Sequence, residues 1–350
     1  WGMGGGSNGI GSPSFALNFA DLGAGIVDTS AQTPAPSITP TFTRATTAWT
    51  ILSTGLYGAV ASGSARSTYS PTGVYLGYLA EGARTNLCQR GEDFATVWAD
   101  VGTPTLIAGS TVGALTLSTL GDDSAAALEG KTQTITFTGD AVKAISVHVK
   151  QGTSTSSVIR LRDVTGAADR LLAAITWTGS VPVVTMTTGT DLTGTPQQFG
   201  TTGAYLLSFA TTSVTAANTN SLQIYPATDA ALAVTGTGTI QVGGVQAEDA
   251  TFASSWIQTP ASATVTRNAD VLGYPLTGWY NDQAGTFFAS GQFNMVPTDN
   301  RGLLIVSDNS VNNRIQDFVI ATGTLAARVV NGGSATNPGN TANAVSANTT

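Results

Sequence analysis

The feature that most constrains this chain is the rhythm of its apolar residues. Between Thr105 and Gln246, short runs rich in Val, Ile, Leu, Thr and Tyr recur at close intervals, each broken by Gly, Asn, Asp or Ser. The runs Thr105–Ile107, Ala114–Ser118, Thr132–Thr138, Ala144–Lys150, Ser157–Arg162, Ala173–Trp177, Val181–Thr187, Ala204–Phe209, Ser221–Tyr225 and Thr239–Gln246 read as strands. Strands this short, at this spacing and with these turn residues, point to a sandwich or jelly roll. The 41 Gly and 13 Pro favour turns over helices, so the fold class is all-β. Within Ala144–Lys150 the apolar Ile145, Val147 and Val149 alternate with Ser146, His148 and Lys150. That alternation predicts a half-buried strand of an open sheet, with His148 solvated or hydrogen-bonded on its polar face.

Length and charge then bound the function. At 350 residues there is room for two domains and an arm. Only 10% of the residues are charged, against about a quarter in an ordinary soluble domain. A net charge of −7 argues against DNA or RNA as the main ligand, because phosphates call for a basic face. Even Arg160 and Arg162 are followed directly by Asp163. A lone cysteine, Cys88, makes no internal disulfide, which suits assembly in a reducing cytoplasm. No apolar run reaches the roughly 18 residues that would suggest membrane insertion, and the N-terminal residues lack the pattern of a signal peptide.

Composition also divides the chain. Residues 1–40, with WGMGGGSNGIGSPS and TPAPSITP, read as a Gly/Pro-rich arm that orders against a partner. Within it Phe15, Leu17 and Phe19 alternate as a docking strand would. Residues 41–83 form a connecting β segment, too short and polar for its own core and expected to pack on the domain C-terminal to it. Residues 84–260 make that first full domain, 261–269 a linker, and 270–350 the start of a second sandwich. In that last part Gly285–Phe293, Gly302–Ser307, Arg314–Ile320 and Leu325–Val330 read as strands. The final NGGSATNPGNTANAVSANTT is low-complexity and is expected not to close a sheet, so the expectation is of a fragment.

Three stretches carry a resemblance. Gln246, Glu248, Phe252, Ala253, Ser254, Trp256, Ile257, Thr259, Pro260, Val265, Thr266, Arg267, Ala269 and Asp270 resemble a "QLE…ATSYIPT…VTR-x-AD" segment of tail, fibre and collar proteins of tailed bacteriophages and prophages. Glu81-Gly-Ala-Arg84-Thr85-Asn86-Leu87, followed by Glu92-Asp93-Phe94, resembles the "EEARTNLL…SEDF" lead-in of the same proteins, and Phe42–Thr46 their "FTRAT" element. Trp256 stands where the pattern usually has Tyr. The resemblance implies a jelly-roll, carbohydrate-binding-module-like domain followed by a concanavalin- or laminin-G-like sandwich. It implies a homo-oligomeric (trimeric, for a fibre) structural protein of the virion, assembled in the bacterial cytoplasm. Its partners would be other virion proteins through residues 1–40 and a host-surface glycan. Three other classes stay open: a purely architectural or capsid-decorating virion protein, the carbohydrate-binding module of a secreted adhesin or hydrolase, and a capsule depolymerase or sialic-acid esterase.

Individual residues offer less. Gly4–Gly9 matches both a dinucleotide loop and a nucleophile elbow, but neither preceding strand nor following helix is written around it. His148 is the lone histidine and lacks visible triad partners. The pairs Glu92-Asp93, Asp122-Asp123 and Glu248-Asp249 are sequence neighbours, which point to opposite faces of a strand and do not face each other across a cleft. They read as turn residues, and the chain is expected to be no enzyme and to need no cofactor. Asp122 and Asp123 are the weak candidates for a structural calcium ion. Trp279 and Tyr280, in the loop LTGWYNDQAG, are the candidates for glycan stacking, against inter-domain packing as the bland alternative. Trp256 reads as core.

Overall fold

The computed structural model describes residues 17–18, 27–28, 41–233, 236–273, 301–307, 312, 314–319 and 324–344. All regular elements among them are strands. The chain divides into two compact units, Trp1–Trp279 and Tyr280–Thr350.

The first unit begins with small pairings. β1 (Leu17–Asn18) runs antiparallel to β2 (Val27–Asp28). Then come β3 (Thr41–Thr43), the hairpin of β4 (Ala48–Ile51) and β5 (Tyr57–Val60), the hairpin of β6 (Ser67–Tyr69) and β7 (Tyr75–Tyr78), and β8 (Arg84–Asn86). The sandwich comprises β9 (Ala99–Val101), β10 (Thr105–Val112), β11 (Leu115–Asp122), β12 (Gly130–Ile135), β13 (Ala144–Gln151), β14 (Ser156–Asp163), β15 (Ala168–Thr178), β16 (Val181–Thr188), β17 (Thr190–Asp191), β18 (Ala204–Ala210), β19 (Asn220–Tyr225) and β20 (Gly238–Glu248). Two strands close the unit. β21 (Val265–Arg267) pairs with β8, and β22 (Val271–Gly273) pairs with β3.

The sandwich strands form two six-stranded sheets, ordered β10-β11-β20-β13-β18-β17 and β16-β15-β14-β19-β12-β9. Within these, β11-β20-β13-β18 and β15-β14-β19-β12 are the two four-stranded halves of a jelly roll, the chain crossing between sheets as two nested Greek keys. Their inner faces share one core. Ile145, Val147, Val149, Leu207, Phe209, Ile240 and Val242 from one sheet meet Ile159, Leu161, Leu171, Ile175, Leu222 and Ile224 from the other, all at most 1% exposed. Each such side chain contributes about 1.5–3 kcal/mol on burial. Cys88, Phe94 and Trp98 belong to the same core.

β13 corrects the expectation of an open sheet. Ser146 and His148, on the face away from the core, are as buried as their apolar neighbours, at 4% and 0% exposed. A second layer covers them: Tyr57, Phe199 and Trp256, with Trp49, Ile51 and Leu56 packed alongside. A period of two says which residues share a face, but not what will lie on that face. Here the covering comes from the connecting segment, from Phe199 in the loop before β18, and from the irregular segment after β20.

The second unit holds β23 (Arg301–Ser307), β24 (Arg314–Val319), β25 (Thr324–Asn331) and β26 (Ser334–Ala344), an antiparallel meander. β26 overturns the expectation that the final low-complexity stretch closes no sheet. Its hairpin is set by Gly332 and Gly333, at φ +56° and +82°, between the paired Asn331 and Ser334. A two-residue loop with both φ positive matches the natural twist of a hairpin. Pro338 falls where the β25–β26 register shifts, between the Val329–Thr336 and Ala327–Gly339 pairs, as a proline inside a strand requires.

Candidate functional site

The motif residues, dispersed over more than two hundred positions, converge on one buried cluster beside the second layer. Arg66 is fully buried. Its Nη1 donates to the carbonyl of Trp49 (3.0 Å) and to Ser255 Oγ (2.8 Å), and its Nη2 to Glu81 (2.8 Å) and Asp270. Arg44 donates to Asp270 Oδ1 (2.8 Å) and to the carbonyls of Thr46, Val60 and Ala61. Arg267 reaches Glu81 Oε2 at 3.0 Å, Ser255 Oγ at 2.8 Å and the carbonyl of Gly82 at 2.9 Å. Glu81 in turn accepts from the backbone N–H and hydroxyl of Ser255, and Asp270 accepts from the N–H of Glu81.

Burial alone would raise the Glu81 carboxyl. Arg267 and Arg66, with Ser255, overcome that and hold it below the usual carboxylate range. Arg66 is likewise held above its ordinary value despite burial, chiefly by Glu81 and Asp270. Burial pulls Arg267 down, and the like charge of Arg66 adds to it while the carboxylates oppose.

A second set of motif side chains staples the irregular segment that returns after β20. Asn86 donates to the carbonyls of Val245 and Ile257 and accepts from the N–H groups of Cys88 and Ala247. Gln246 accepts from the N–H of Ile257 at 2.7 Å, Glu248 from that of Ser254 at 2.8 Å, and Thr259 from that of Gly91 at 3.0 Å. Arg84 lies 3.8 Å from Glu248 and over the ring of Phe252.

Over this cluster opens a cleft of about 400 Å³, lined by Thr46–Trp49, Trp256–Gln258, Pro260, Val265 and Arg267. The rings of Trp49 and Trp256 stand 4.7 Å apart at 41°. Trp256 is 4% exposed and belongs to the second layer, as its reading as core expected.

No protein family and no curated protein matches this chain. Among solved structures, the enzymatically active domain of tailspike protein 4 from bacteriophage CBA120 is similar to it at a TM-score of 0.29 and 14% identity. That match covers 46% of this chain and 21% of that one.

Of the residues singled out from the sequence, only some fall within the described residues. Trp279 and Tyr280 lie outside the described residues, as do Phe15 and Phe19, while Leu17 is in β1 opposite Asp28. Asp122 is buried at the end of β11, its two oxygens accepting from the N–H groups of Ser124 and Glu129, and Asp123 is exposed. Among the described residues no group of three or more His, Cys, Asp or Glu is placed to hold a metal ion. His148 Nε2 lies 2.9 Å from the Tyr57 hydroxyl, inside the second layer. Glu248 is not a turn residue but the buried last residue of β20. Sequence reasoning missed the cluster of Arg44, Arg66, Glu81, Arg267 and Asp270. Its signal was present in the motifs, as charged and amide side chains at positions that apolar packing alone would not call for.

Proposed function

We propose that this chain is a non-enzymatic structural component of a tailed-phage virion, a fibre, tail-tip or collar piece that acts in assembly and in attachment to the host surface. The observation that carries the reading is the convergence of the three motifs. The "FTRAT", "EGARTNL" and "VTRNAD" residues, matched one by one to a phage-protein pattern, meet in a single ion-pair cluster that ties the lead-in of the jelly roll to its departure. Such a joint keeps the two ends of a domain at one place, which suits a spacer in a chain of domains. Low charge with many Thr, Ser and Asn suits hydrogen-bonded contact between subunits and with neutral polysaccharide. In this reading residues 1–40 contact other virion proteins, and the protein is a homo-oligomer.

The test is the particle itself. Phage particles from a lysate of the producing cells, purified on a density gradient, should contain the chain by mass spectrometry, and antibodies against it should decorate the tail in electron micrographs. A chain that stays in the soluble fraction while the particles lack it would refute the proposal.

A further inference from the structure

We infer that the β3–β22 pair, backed by the Arg44–Asp270 ion pair, is a mechanical lock that keeps tension along the chain off the jelly roll. The path of the chain carries this. Residues 1–40 lead into β3 at Thr41, and residues 274–350 follow β22 at Gly273. Those two positions are antiparallel partners, and Thr41 Oγ1 donates to the Gly273 carbonyl at 3.3 Å. A pull on the two ends therefore meets at this one place. Both six-stranded sheets lie in the chain between the two positions, so tension reaches them only after the ends have parted.

Strand pairing alone would part easily. Both pulled ends lie at the same end of the ribbon, so the pairs Thr41–Gly273, Phe42–Leu272 and Thr43–Val271 are strained one after another, not together. The next residue on each strand is what resists. Arg44 and Asp270 stand 2.8 Å apart, and neither side chain has exposed surface. Asp270 also holds Arg66, its N–H donates to the Glu81 carbonyl at 2.9 Å, and its carboxylate accepts from the Glu81 N–H at 3.0 Å. Just beyond, the Asn268 N–H donates to Thr46 Oγ1 at 3.0 Å and Arg267 to the Gly82 carbonyl at 2.9 Å. Each of these contacts joins the connecting segment to the segment after the sandwich, and none involves a sandwich strand. Buried charges attract with little screening, so parting them is opposed until water enters. Arg44 and Asp270 are 226 positions apart in sequence. The lock thus closes a loop whose full extension is roughly 75–80 nm at about 3.3–3.6 Å per residue.

The lock deepens the spacer role in the proposed function and rests on that reading for its biological setting. The experiment is constant-force stretching of the full chain, held by its two termini in optical tweezers, where the waiting time reads the opening rate. The long extension should appear only after the lock opens. Asp270→Asn should shorten the wait for it at least about tenfold, because it strands buried guanidinium charge. Leu161→Ala, in the sandwich core, should leave the wait unchanged while lowering the urea midpoint. A paired change, Thr41→Cys with Gly273→Cys, identifies the step and keeps the ion pairs, so it reads out even if Asp270→Asn does not fold. A Cβ at Gly273 lies 3.3 Å from Thr41 Oγ1, within reach of a bridge. Oxidation should remove the long extension and reduction restore it. A wait shortened by Leu161→Ala as by Asp270→Asn, or a long extension that survives oxidation, overturns the lock. Neither result changes whether particles contain the chain, so the failure of the lock and the failure of the virion reading are separate results.

Discussion

His148 is held in a setting that tolerates only its neutral form. Its ring meets Tyr57 edge-on at 5.2 Å and Phe199 at 5.6 Å. Burial pushes its pKa down to about 4, against a weaker opposing pull from the backbone of Gly243 and Gly244. Space for the ring comes from a bulge in β20, where Gly244 adopts φ +54°; a Cβ there would lie 2.6 Å from His148 Nδ1. A folded-state pKa below the unfolded one means the stabilisation is complete above about pH 6.5 and is lost as pH falls toward 4. The full loss corresponds to about 3 kcal/mol. Glu92 and Glu248, raised by burial, work in the opposite sense, so the comparison must be with a variant. Urea unfolding of the parent and of His148→Gln, at pH 7 and pH 4, should give a stability gap that closes at the acid end. An equal pH dependence in the two proteins would contradict this account. Gly244→Ala should destabilise by more than about 1 kcal/mol, through both the positive φ and the clash. Gly139→Ala, where a Cβ meets nothing within 4 Å, should change the urea midpoint little.

The ion-pair cluster ties the connecting segment to the segment that follows the sandwich, and its cost structure is lopsided. Asp270 has a side chain with no exposed surface and serves both Arg44 and Arg66. Removing one member of a buried pair strands its partners' charge, typically at about 3–5 kcal/mol. Asp270→Ala should therefore lower the unfolding free energy by about that much, whereas Arg162→Ala, which leaves Asp169 paired with Arg160 at a partly exposed site, should cost about 1 kcal/mol or less. Denaturant titration of the two variants separates a cooperative buried lattice from independent surface pairs. The strands themselves were legible. β10 to β16 and β18 to β20 each contain or overlap a run recognised by its strand-forming residues and the Gly, Asn, Asp or Ser that break it, because buried strands favour such side chains and turns do not. β9 and β17 were not, being too short to carry a pattern and held by a neighbour's edge. β26 was missed because its Asn, Ala, Gly and Pro have little strand preference of their own; pairing with β25 and the Gly332-Gly333 turn decide it. The cluster was half legible, since the motifs named Arg44, Glu81, Arg267 and Asp270 but not Arg66, and spacing in sequence cannot say that Arg44 and Asp270 touch.

For the molecule as a whole, these contacts fix where a cut can be made. A chain of residues 84–260 contains both six-stranded sheets, yet it lacks Arg44, Arg66, Glu81, Arg267 and Asp270, and it loses β4 and β5 from the second layer. Trp256, Leu115, Leu117 and Phe199 would then face water without Tyr57 and Trp49 against them, and His148 would lose its hydrogen-bond partner. An apolar patch of that kind on an isolated domain drives association. Residues 41–273 keep every one of these contacts, and the β3–β22 and β8–β21 pairings hold the two ends of the piece side by side. We expect 41–273 to be monodisperse or a defined oligomer, to bind little of a hydrophobic dye, and to unfold in one cooperative transition by calorimetry. Residues 84–260 should bind the dye strongly and either aggregate or unfold over a broad range at lower temperature. Equal melting temperatures for the two pieces would mean that the ion-pair cluster and second layer ornament a sandwich that is stable without them, and that the motifs owe their presence to something other than stability.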